Sequence, residues 1–232
     1  VGTYTEFAAT TAGASSTLRT VAIDNAQATA TPVTVTLVHQ DGTLQWGILA
    51  GVLDAGRTEI TIDGGGTVAL TNPAETEYVR FFQTSGFGND LFGVIGQVAE
   101  SQDLPVDGTA IYNGVVQMEV ANSSGGYVLT GDAQIIANWS NSVDTMFQNF
   151  SGSLNGGPNQ TFSGTIGMLD APISNAAFSG GTLTRTGTMF VTTEPVTTDF
   201  VGQFYGKNAD EAGGIFVLDS ADLNVSAVFA AE

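Results

Sequence analysis

Residues 108–139 read GTAIYNGVVQMEVANSSGGYVLTGDAQIIANW. Two runs, 108–120 and 126–139, flank the turn Ser124-Gly125-Gly126, and neither shows the three-to-four-residue apolar stripe of a helix. In the second run Ile135, Ala137 and Trp139 share one face and Gln134, Ile136 and Asn138 the other, a period of two that leaves open which face is interior. The same pattern continues outward. Strands are predicted at 143–154, 161–168, 177–192, 199–206, 212–219 and 223–231, joined by short turns such as Gly156-Gly157-Pro158-Asn159. Eight consecutive antiparallel strands close most economically into an up-and-down barrel, because closure removes both exposed edges. The predicted fold is therefore all-β. A barrel of eight strands has an interior that side chains fill or that holds one small ligand.

Upstream, 34–38 alternates, Asp41-Gly42 is a type I′ hairpin signal and 43–49 returns. That pairing sets Leu37 opposite Trp46 and His39 opposite Leu44 on one face. Further strands are expected at 58–62, 67–70 and 78–82. The segment 86–106 is glycine-rich and carries Pro105, which marks the seam. The expected division is a smaller β-rich part over 1–104 and the barrel over 105–232.

Composition narrows the function classes. The chain has 232 residues, enough for a core without cross-links. No apolar run approaches the roughly 20 residues of a membrane-spanning helix. Twenty-three acidic against five basic side chains give a net charge of -18, which removes the phosphate-neutralising capacity that nucleic acid or anionic lipid demands. Charged residues are only 12% of the chain and glycines number 30, the dress of a secreted or cell-surface β-protein. Excess carboxylate also suits salty water. With no cysteine there is no disulfide framework, thiolate zinc site or cysteine nucleophile. The chain opens at Val1-Gly2-Thr3-Tyr4 without a basic or apolar leader, so a signal peptide is expected to be absent or, on composition, already removed.

Catalytic constellations are missing. A Ser-His-Asp set would need His39, the one histidine, and Ser151-Gly152 and Ser163-Gly164 lack a nucleophile elbow. Glu119 and Asp132 are a nominal carboxylate pair among many accidental ones. Gly64-Gly65-Gly66 follows Asp63 without a phosphate-loop lysine, and no calcium-loop spacing appears. The chain is expected not to be an enzyme.

Three segments carry a resemblance. Residues 202–216, GQFYGKNADEAGGIF, are similar to the G-x-F-Y-G-P-N-A-x-E-x-G-G-x-F pattern with which the β-barrel of the transferrin-binding protein B family closes. Residues 105–114, PVDGTAIYNG, resemble the P-x-x-G-x-A-x-Y-x-G start of that barrel, and 131–139, GDAQIIANW, its G-x-A-x-L-x-A-D-F strand. Lys207 stands where the family has proline, with Gly206 and Asn208 keeping the turn chemistry. The resemblance implies a handle-like β-domain followed by an eight-stranded barrel, on the surface of the bacterial outer membrane or secreted. There is no amino-terminal cysteine to carry a lipid, which leaves lipid-anchored and free forms both open. The segment 205–209 reads most simply as a structural turn, and its flank Asp210-Glu211 as a solvated turn rather than a cation site.

The family includes haem carriers, which gives His39 two readings. It is either a strand-end histidine bonded to backbone, or an axial ligand to haem iron with Leu37, Leu44 and Trp46 covering the macrocycle. Tyr78, Tyr112, Tyr127, Tyr205, Met118 and Met146 are candidates for a second ligand or the only one. The leading expectation is a protein that captures haem or an iron carrier and passes it to an outer-membrane transporter, such as a TonB-dependent receptor. Alternatives are a binder of a host or neighbouring-cell macromolecule and a structural surface or filament subunit.

Overall fold

The structure is a computed structural model. It describes the backbone of residues 2–8, 17–24, 32–38, 45–52, 59–62, 66–71, 76–85, 91–96 and 98–232, and side chains at 69, 71, 76–83, 93, 94, 96 and 98–232. Among the described residues all regular structure is antiparallel strand except for two three-residue 3-10 turns.

The first sheet holds β1 (Gly2–Ala8), β2 (Thr17–Asp24), β3 (Pro32–Val38), β4 (Gln45–Val52), β5 (Glu59–Ile62), β6 (Gly66–Thr71), β7 (Val79–Ser85) and β8 (Leu91–Gly96). Its order is β4-β3-β2-β1-β8-β7-β6-β5, two meanders joined edge to edge where β1 pairs with β8. The β3–β4 register places Leu37 opposite Trp46, with an irregularity between Val35 and Leu37. His39 and Leu44, and the side chains of Leu37 and Trp46, lie outside the described residues.

The second sheet begins with β9 (Thr109–Asn122), β10 (Gly125–Asn138) and β11 (Ser142–Leu154). It continues through β12 (Gln160–Phe162), β13 (Thr165–Leu169), β14 (Ala171–Ser174), β15 (Ala177–Ser179) and β16 (Thr182–Thr186), and ends with β17 (Thr197–Tyr205), β18 (Glu211–Asp219) and β19 (Leu223–Ala231). A ring of eight closes it: β9, β10, β11, β14, β15, β17, β18, β19 and back to β9. Six strands lie where the sequence pattern puts them. The predicted 161–168 and 177–192 are instead broken. The first runs along β11 as β12, β13 and β14, kinked at Asp170 with φ 56. The second is β15 and β16, separated by Gly180 and Gly181 at φ 74 and 98, and 188–190 is a 3-10 turn. Three glycines between 180 and 187 supply positive φ where a regular strand has none.

The barrel is filled by aromatic rings. Phe147, Phe150, Phe178, Phe190, Phe204, Phe216 and Phe229 are each less than 2% exposed, and ring centroids stand 5.1 Å apart for Phe147–Phe229 and for Phe178–Phe204. Each buried ring contributes about 1.5–3 kcal/mol relative to exposure. The interior face of β10 is the one bearing Ala133, Ile135 and Ala137. Strands β18 and β19 are buried on both faces, because Ile215, Val217, Val228 and Ala230 pack outward against Val79, Phe81 and Val94 of the first sheet. That is why their sequences run almost continuously apolar instead of alternating.

Candidate functional site

The segments that carry the sequence resemblance meet at one place, the joint between barrel and first sheet. At the end of β17 the Phe204 carbonyl accepts the Ala99 N–H at 2.9 Å, and Tyr205 bridges Val98. Gly206 follows at φ 81, and a Cβ there would lie 2.9 Å from the Tyr78 ring and 2.8 Å from the Asp210 carboxylate. Glycine is needed for both conformation and space. Ala209, at φ 57, offers its carbonyl to the Tyr112 hydroxyl at 2.7 Å, so the start and the close of the barrel are bonded to each other. Burial, with a smaller contribution from Asp210, pushes the Tyr112 phenol far above its ordinary range, and it remains a hydrogen-bond donor. Trp139, from the third segment, packs with its ring centroid 4.6 Å from that of Phe204, the planes tilted by 47°.

Glu211 holds the joint. Its side chain is 3% exposed, and its carboxylate accepts the backbone N–H groups of Glu77, Tyr78 at 2.9 Å and Val79 at 2.8 Å. Burial raises its pKa, while the three N–H donors and the nearby Arg80 charge work against that rise. Asp210 is exposed as a solvated turn residue should be. Glu211 corrects that reading, since it is a buried anchor. The available sequence signal was its position at the head of the apolar run 212–218, where no face of the strand is left for water.

The candidate ligand residues separate in the same way. Met118, Tyr112, Tyr127 and Tyr205 are buried in the cores, and the Tyr112 hydroxyl is engaged with the Ala209 carbonyl. Tyr78 is half-buried against the Gly206 turn, and Met146, 37% exposed, lies on the outer wall. Among the described residues no cluster of three or more His, Cys, Asp or Glu is placed to hold a metal ion. Glu119 pairs with Val128 and Asp132 with Val115, which separates the two along the strands by roughly 13 Å, beyond the span of two-carboxylate glycoside chemistry.

One barrel mouth is closed by residues 188–190. Phe190 meets Phe150 edge-on at 5.3 Å, its carbonyl accepts Arg185 Nη1 at 3.0 Å, and the Met189 carbonyl accepts Asn122 Nδ2 at 3.4 Å. Just beyond, the Thr192 and Ser220 hydroxyls donate to Asp222 and hold its carboxyl below the usual range. On the outside, Val106, Ile111, Val128, Met146, Leu169 and Val191 are the exposed large apolar side chains among the described residues of 105–232.

Residues 104–232 match the family model described as C-lobe and N-lobe beta barrels of Tf-binding protein B. Among solved structures, a point mutant of transferrin-binding protein B from Haemophilus parasuis Hp5 is 21% identical with a TM-score of 0.56, covering 99% of this chain and 44% of that one. The isotype 1 protein from serogroup B Neisseria meningitidis is 21% identical with a TM-score of 0.51, covering 85% and 38%. The chain thus spans less than half the length of these structures, and the likeness is one of fold. Comparison with curated protein sequences finds no match.

Proposed function

The chain belongs to the family of transferrin-binding protein B β-barrels, and from that premise we propose that it is a non-enzymatic binding protein at the bacterial cell surface, outward-facing or released. Its ligand would be a nutrient, haem or an iron-carrying protein, handed to an outer-membrane receptor of the TonB-dependent kind. The observation that carries the reading is the phenylalanine-filled barrel, which leaves the outer surface as the place of contact. For the haem form, the support is the β3–β4 register that sets Leu37 opposite Trp46 beside the predicted turn, with His39 as axial ligand and Leu44 completing the cover. The division at 104/105 into a handle-like part and a barrel belongs to the same proposal. Its support is the topology, in which β1–β8 and β9–β19 form separate sheets.

Two titrations test it. Haem added to wild-type and His39→Ala protein should give a Soret shift in the first and none in the second. Iron-loaded transferrin passed over immobilised chain should bind irrespective of that substitution if the ligand is a protein. Uptake of neither would overturn nutrient capture, and equal haem affinity in both chains would remove His39 from the site.

A further inference from the structure

The barrel wall is split between β16 and β17. Strands β17 and β18 pair from Thr197 to Tyr205, and β18 and β19 from Ala212 to Asp219, but β15 meets β17 only over Ala177–Ser179. One further bond, Gly180 N–H to the Phe200 carbonyl at 3.0 Å, ends the ladder. The chain then turns away at Gly180 and Gly181. A Cβ at Gly181 would lie 2.6 Å from the Leu169 carbonyl oxygen, so the divergence is built into the sequence. Strand β16 pairs with β13 alone and ends the sheet.

The direction of its free backbone groups follows from its neighbours. The Met168 N–H turns toward β11, where it donates to Thr145 Oγ1 at 3.1 Å. By alternation, Thr165, Gly167 and Leu169 turn toward β16 and bond their partners Thr186, Thr184 and Thr182. Leu183 and Arg185 therefore point their N–H and C=O groups away from β13. Across the split, Phe200 and Phe204 bond toward β15 and Ala176, so Thr198, next in that series, points its groups toward the same opening. No backbone partner meets any of these three residues among the described residues.

We propose that the β16 edge is a docking site for one extended strand of a partner protein, a segment in which apolar residues alternate with lysine or arginine. An added strand pairs a row of edge amides and carbonyls with backbone groups of its own. The inward side of such a strand would meet Leu183 and Val196, which pack against the barrel core. Its outward side would meet the carboxylates of Asp199 and Glu194, both exposed. Residues 105–232 carry twelve acidic and two basic side chains, and Arg185, one of the two, is engaged with the Phe190 carbonyl. A second copy, bearing the same net charge of -18, is repelled from this edge. A basic segment is attracted.

Amide hydrogen exchange tests this on the chain as it stands. The probes are a blocked heptapeptide alternating lysine with valine and the same peptide with glutamate for lysine. Leu183 and Arg185 amides should exchange fast in the free chain, and the lysine peptide should slow them at least about tenfold. Thr184, bonded to β13 throughout, should not change. Leu183→Pro, which removes one edge donor at a position open to proline, should abolish the protection, and the wild-type comparison of the two peptides stands even if that variant folds poorly. No protection by the lysine peptide, equal protection by the glutamate peptide, or protection that appears with protein concentration and dimer formation would each overturn the proposal.

Discussion

The two walls of the barrel are built differently. The β17–β18–β19 wall has long regular ladders, is packed by phenylalanine inside and by the first sheet outside, and is pinned by Glu211. The β14–β15–β16 wall has strands of three to five residues broken by Asp170, Gly180 and Gly181. The first wall spends its outer face on holding the chain together. The second leaves backbone and apolar side chains available, which assigns stability to one side of the barrel and recognition to the other.

Five substitutions or conditions would sharpen or break that division. The largest effect is expected at Phe229→Ala, which removes a ring in contact with both Phe147 and Phe200 and should cost about 3–5 kcal/mol in urea unfolding. Glu211→Ala comes next. It strands three backbone donors and should cost about 3 kcal/mol, with limited proteolysis opening the chain near the joint. A loss below about 0.5 kcal/mol would mean that Glu211 does not hold the two sheets together. Gly206→Ala forces a side chain into φ 81 against the Tyr78 ring and should cost about 1–2 kcal/mol.

The pH dependence of the joint follows from the direction of the Glu211 shift. Burial holds its folded-state pKa above the ordinary 4.5, so the folded chain binds that proton more tightly than the unfolded chain. The contribution of this group to stability therefore grows as pH falls through the folded-state pKa and is complete below the ordinary value. The difference in Tm between wild type and Glu211→Gln should accordingly rise toward acid, and a flat difference between about pH 4 and 8 would contradict the assignment. The smallest effect is general. Eighteen uncompensated negative charges repel one another, and the Debye length falls from about 30 Å at 0.01 M to about 10 Å at 0.1 M salt. The Tm should rise modestly with sodium chloride over that range.

Alternation in 109–122 and 125–138, and two turn-bounded apolar runs in 211–231, made most of the barrel legible, since periodicity and turn chemistry are local properties of the chain. The same logic failed at 177–192. There Gly180-Gly181 and Gly187 sit inside a threonine-rich stretch of high strand propensity, and periodicity does not distinguish a continuous strand from one that leaves the ladder. A turn stands where 205–209 was read as one, yet the groups that bury the neighbouring Glu211, the N–H donors of Glu77, Tyr78 and Val79, stand 132 to 134 residues away in sequence.

What the sequence by itself determined is the all-β class and the Leu37–Trp46 register, because composition, alternation and turn chemistry are local. What only the tertiary structure decided is which glutamate and which tyrosines are buried, and which strand edge is left open. Those depend on what lies across the barrel and beneath the neighbouring sheet, and a carboxylate's desolvation or an amide's missing partner is set by those neighbours rather than by the residue itself.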